Sequence, residues 1–146
     1  MRARTATVGD LEVVFHDLSR RMSDEYAAAG KDAKLAYDNL MMNLKEGRAH
    51  ALVERDRAVA IIAWHEHSDT AETLFAAQDE FFTAATVRFC KRHIRQIQQL
   101  AGNIPIQSRG WLDRPEVTRW FRIIGYVERG RKNGARVFEL PPAPSA

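Results

Sequence analysis

The sequence predicts an α+β domain built on a mixed, mostly antiparallel twisted sheet of about six or seven strands with about four helices. Three observations predict it. The apolar period switches repeatedly between the 3.6 of a helix and the 2 of a strand along the chain. Residues 58–64, Ala-Val-Ala-Ile-Ile-Ala-Trp, are almost continuously apolar, as in a central strand buried on both faces. The last third reads as a helix, a Gly-aromatic stop at Gly125-Tyr126, a strand, an Asn-Gly turn and a final strand. At 146 residues the chain is one domain, expected over 1–140, with a flexible Pro-rich tail at 141–146.

From the front, Thr5 to Val8 is a candidate edge strand. Thr7 with Asp10 three residues on makes a capping-box start. Leu11, Val14, Phe15, Leu18 and Met22 then share one helical stripe, which predicts a helix to about Ala29, stopped by Gly30. A second helix fits 33–44, with Ala36, Tyr37, Leu40, Met41 and Leu44 on one face and Met41 and Met42 as flexible packing. Strands are expected at 49–54 and 58–65 around the polar turn Arg55-Asp56-Arg57, and at 72–77 after a second polar turn. Thr83 caps a long helix to about Ala101, ended by Gly102. A strand at 104–111 follows. Pro115 then opens a helix with Val117, Trp120, Phe121 and Ile124 at i, i+3, i+4 and i+7.

The 45% hydrophobic and 28% charged fractions are those of an ordinary globular protein. A single cysteine, Cys90, excludes an internal disulfide and fits a reducing cytoplasm. Its helical spacing with Val87, Ile94 and Ile97 makes it a small core residue. No apolar run reaches transmembrane length, so no membrane contact is expected. The net charge of +3 permits an anionic ligand without asking for nucleic acid.

The order of parts, from Arg4-Thr5-Ala6-Thr7 with Asp10 at the front to Val137-Phe138-Glu139-Leu140 at the end, resembles the GNAT acyltransferase superfamily over some 140 residues. More narrowly it looks like the small acetyltransferase-like proteins of short-tailed phages, which share the Ala28-Ala29-Gly30 stretch and the segment from Arg119 to Gly125. That resemblance implies N-acyl transfer from acetyl-CoA held between the strand at 72–77 and the strand at 104–111. It implies cofactor contacts at Phe75, Ala76, Ala77, Thr83, Ala84 and Ala85, and Glu72 as the candidate general base. It also implies a host cytoplasm or virion setting, with a partner in a phage particle as the alternative to catalysis.

Two departures from the family pattern bear on chemistry. The family's Gly-rich pyrophosphate loop corresponds to Asp79-Glu80-Phe81-Phe82-Thr83-Ala84-Ala85-Thr86, which has no glycine and two carboxylates. This predicts weak or absent acetyl-CoA binding. The family's acidic tyrosine corresponds to Phe121, which has no proton to give. Among other residues, Arg109 and Trp111 at a strand end are expected at a cleft. Arg88, Lys91, Arg92 and Arg95 form a cationic stripe, either a solvated face or a weak polyanion contact. His65 and His67 fall on one strand face as possible metal ligands, but no third ligand is evident and no metal is expected.

Overall fold

The computed structural model describes residues 1–144, the side chain of Ala84 excepted. In chain order it contains β1 (Arg2–Thr5), α1 (Val8–His16), α2 (Arg20–Ala28), α3 (Ala33–Lys45), β2 (Ala49–Glu54), β3 (Arg57–His67), β4 (Thr70–Ala77), a 3₁₀ turn (Asp79–Phe81), α4 (Ala84–Leu100), β5 (Ile106–Gly110), α5 (Pro115–Ile123), β6 (Val127–Lys132) and β7 (Ala135–Leu140).

Local chemistry explains most of the boundaries. Thr7 accepts from the Asp10 amide while Asp10 accepts from the Thr7 amide, so the expected capping box starts α1. That cap displaces the expected first strand, which lies earlier, at Arg2–Thr5. The single first helix also divides in two. Ser19 accepts from the Met22 amide and caps a separate α2, while its own N–H bonds to the Ala77 carbonyl at 2.9 Å. The apolar stripe runs across the break, which is why periodicity alone joined the two helices. Arg55 and Asp56 take positive φ to close the β2–β3 hairpin, and Asn133 and Gly134 do the same between β6 and β7.

The strands form one sheet in the order β1-β2-β3-β4-β5-β7-β6. All neighbours are antiparallel except β4 and β5, which are parallel. β3 is the central buried strand that its apolar run predicts. On one face Leu11, Val14 and Leu40 from α1 and α3 pack on Ala51, Ile61, Ala63 and Ala76. On the other, Cys90, Ile94 and Ile97 of α4 pack with Ile124 and Tyr126 on Trp64, Ile106 and Phe138. Met41 packs against the first cluster, but Met42 is 65% exposed and belongs to neither cluster. β6 is exposed along its whole length and its pairing with β7 slips between Glu128 and Arg131. The expected tail is tied down at its start: Arg95 and Gln98 both donate to the Pro141 carbonyl, and Asn103 exchanges two hydrogen bonds with Ala143. Ser145 and Ala146 lie outside the described residues.

Gly125 ends α5 at φ +109, as the Gly-aromatic stop requires. A Cβ there would sit 3.3 Å from Leu140 Cδ1 and 3.9 Å from Arg95 Nη2. Gly125→Val is therefore expected to cost on the order of 1–2 kcal/mol and to lower the melting temperature by several degrees. An unchanged melting temperature would remove the strain argument.

Candidate active site

The sheet opens between β4 and β5. These strands pair only at Ala71–Ile106 and Glu72–Gln107, and beyond that point they splay. The Ala71 amide bonds to the Pro105 carbonyl and the Gln78 amide to the Val59 carbonyl. In an antiparallel ladder this alternation turns the backbone groups of Phe75 and Ala77 away from β3 and into the opening. A cavity of about 300 Å³ fills the splay. Its wall is largely aromatic and aliphatic, including Met22, Ile62, Phe75, Phe82 and Trp120. Such a concave, apolar, pre-formed site suits a small-molecule ligand.

α2 straps across this opening. The Tyr26 hydroxyl donates to the Phe75 carbonyl on β4. The Glu25 carboxylate accepts from the amides of Trp111 and Leu112, at 2.9 and 3.2 Å. Asp24 pairs with Arg114 at 3.0 Å. One short helix thus bridges both sides of the splay. No local signal marks Glu25 or Tyr26 for this role, because Glu25 meets partners 86 and 87 residues away.

Inside the cavity three hydroxyls line up. Thr73 Oγ1 and Ser108 Oγ share a hydrogen bond across the splay, and Ser108 Oγ lies 3.5 Å from the Tyr126 hydroxyl. Burial pushes the Tyr126 phenol up, so it holds its proton. Phe121 packs its ring edge-on to Tyr126 at 5.0 Å.

Of the two carboxylates in the loop entering α4, Asp79 is exposed with no ion-pair partner among the described residues. Glu80 is ion-paired to Arg57 at the start of β3. Phe81 is core, 1% exposed, and Phe82 lines the cavity with the Arg21 guanidinium 4.3 Å from its ring centroid. Thr83 is the N-cap of α4 without a side-chain cap bond, and no acid occupies the first turn. Among the described residues no side chain caps the first amides of α4, and the Thr86 amide bonds back to the Thr83 carbonyl at 3.2 Å.

No protein-family model and no curated protein matches this chain. Solved structures do match. The PaiA N-acetyltransferase of Thermoplasma acidophilum, a coenzyme A complex, superposes with a TM-score of 0.70 at 11% identity, covering 97% of this chain and 98% of that one. The ribosomal-protein-S18-alanine N-acetyltransferase of Escherichia coli gives 0.70 at 13% identity, over 99% and 96%. The GNAT domain of PAT from S. lividans gives 0.69 at 19% identity, over 94% and 88%. The chain has the GNAT fold.

Within the GNAT frame, most of the residues singled out in the sequence meet at or near the opening. Glu72, Phe75, Arg109 and Trp111 line the cavity. Ala76 and Ala77 are fully buried in β4, and Ala76 packs toward the α1–α3 face. Thr83 and Ala85 are exposed at the α4 N-terminus, and the side chain of Ala84 lies outside the described residues. Glu72 is half-buried, with Arg109 Nε at 3.4 Å and His65 Nε2 at 3.9 Å. Cys90 also lines the cavity, but burial pushes its thiol up to about 12, so it is no nucleophile. The cationic stripe loses a member: Arg95 is half-buried and donates to Gln98 at 2.7 Å and to the Pro141 carbonyl at 2.8 Å. Arg88, Lys91 and Arg92 are exposed, with no acidic partner among the described residues. No described helix is long and apolar enough to cross a membrane.

Proposed function

We propose that this protein transfers an acyl group from an acyl-CoA to an amine in the β4–β5 opening. The observation that carries this reading is the cavity of about 300 Å³ between the splayed strands, with the β4 edge turned into it. The residues present fit the cofactor's chemistry. The Phe75 and Ala77 amides are placed to donate to an extended amide-bearing chain laid along β4. The open amides at the start of α4, with Arg21 beside Phe82, can take a pyrophosphate without a glycine loop. An acyl thioester supplies an activated carbonyl, and the protein's task is then mainly to hold it against the amine.

Glu72 is the base in this scheme. Its carboxylate, oriented by Arg109, takes the proton the amine loses as the C–N bond forms. With no hydroxyl at Phe121, the Thr73–Ser108–Tyr126 hydroxyls would hydrogen-bond the sulfur as it leaves, and its proton would come from water, since burial keeps the Tyr126 phenol protonated. The glycine-free stretch 79–86 favours a second reading, a non-catalytic scaffold that binds another protein, such as a component of a phage particle.

Acetyl-CoA separates the two. A ligand that binds only the folded state at a hundredfold excess over its Kd adds about 2.7 kcal/mol. Millimolar acetyl-CoA is expected to raise the melting temperature by several degrees, with CoA competing. An unmoved melting temperature would hand the fold to the scaffold reading.

A further inference from the structure

We propose that His65, His67 and Glu72 form a binding site for a divalent transition-metal ion of the Zn²⁺ class at the β3–β4 end of the sheet. Their donor atoms all lie within 4.8 Å of one another. The arrangement follows from register. His65 and His67 are two apart on β3 and so share a face, and Glu72 stands directly opposite His65 on β4. The rings of the two histidines meet edge to face, 4.4 Å between centroids. Sequence spacing supplied the two imidazoles but not the carboxylate, which arrives from the neighbouring strand.

The donor set selects the ion. Two imidazoles and one carboxylate suit zinc and its first-row neighbours, whereas calcium and magnesium prefer an all-oxygen shell. Three protein ligands leave a further position open to water, since His67 is exposed and His65 and Glu72 are only partly covered. Glu72 is already oriented for the task. Arg109 Nε holds Oε1 at 3.4 Å, which leaves Oε2 on the side of His65 Nε2, 3.9 Å away. A carboxylate held this way by an outer partner keeps its ligating oxygen aimed. Tetrahedral zinc needs donors about 3.4 Å apart, so the three must draw in by about an ångström. Rotation of the exposed His67 ring provides most of that movement.

The site shares Glu72 with the splay chemistry, and a Glu72 that ligates the ion cannot serve as the base, so an occupied site would switch that role off; the test of the site is separate. Calorimetric titration of the metal-free full chain with Zn²⁺ is expected to show saturable binding of one ion per chain. His67→Asn is expected to weaken that binding at least tenfold while leaving the melting temperature of the metal-free protein unchanged, because His67 is exposed. Co²⁺ in place of Zn²⁺ is expected to give visible absorption bands that His65→Asn abolishes. Absence of saturable binding overturns the proposal. So does binding that survives His67→Asn, or that disappears with His50→Asn, which would locate the ion at the buried His50–His93 pair. Because these readouts need no acyl-CoA, they stand or fall apart from the acyltransferase reading.

Discussion

Phe138→Ala is expected to destabilise the protein by about 3–5 kcal/mol, the cost of emptying a large aromatic site in a packed core. Phe138 is 2% exposed and stacks on Phe121, with 4.3 Å between ring centroids and 16° between planes. The Arg136 guanidinium lies over the Phe138 ring, 5.0 Å from its centroid, and Gly110 approaches so closely that a Cβ there would be 3.2 Å from the ring. Backbone on one side and ring on the other leave little room for collapse into the void. Against a total stability of about 5–15 kcal/mol this is a large fraction. Denaturant unfolding should show it as a lower midpoint with the slope retained, and the melting temperature should fall by about 10 °C or more. A loss below about 1 kcal/mol would mean that the ring is not the keystone of the α5–β7 contact.

Acid is expected to weaken the fold through one buried pair. His50 Nδ1 and His93 Nε2 lie 2.9 Å apart between β2 and α4, so one ring donates and the other accepts. His93 is 3% exposed and stacked on Phe89, and Trp64 meets His50 edge-on. Burial, and then the charge of His50, hold His93 down at about 4, and burial lowers His50 as well. A folded-state value below the unfolded value near 6.5 means that the unfolded chain binds the extra proton. The pair's contribution is therefore complete above about pH 6.5 and lost as pH falls through about 4, up to about 3 kcal/mol for His93. His93→Gln should flatten this part of the stability profile between about pH 7 and pH 4 relative to the unmutated chain. Parallel profiles for the two proteins would show that the pair carries none of the acid sensitivity.

The fold was legible wherever the determining chemistry is local. Asn133-Gly134, the Thr7–Asp10 box, Pro115 and Gly125 each act within a few residues of themselves, and each marks an element the structure contains. The apolar run of β3 was equally plain, because burial on both faces leaves no polar alternation. The break at Ser19 was hidden by an apolar stripe that continues through it, and its cause, the Ala77 carbonyl, is distant in sequence. The cleft was legible only as positions. Glu72, Arg109 and Trp111 stand there, but what closes and lines the opening comes from long-range meetings: Glu25 with Trp111, Thr73 with Ser108, Ser108 with Tyr126. The Glu80–Arg57 pair was likewise out of reach of local reading, because its partner stands 23 residues earlier on β3.

The strand that closes the sheet at the far end bears on how the protein behaves when concentrated. An outermost strand offers a row of unsatisfied amides and carbonyls, a template onto which another chain can add. β6 carries Glu128, Arg129, Arg131 and Lys132 within six residues, and its slip against β7 around Gly130, at φ +96, bends the edge out of flat register. A second copy added in parallel register would set Arg129, Arg131 and Lys132 against themselves, and in any register it would find no straight ladder to extend. The exposure of β6 is thus its defence: the strand least covered by the fold is also the one least able to recruit amyloid-like growth.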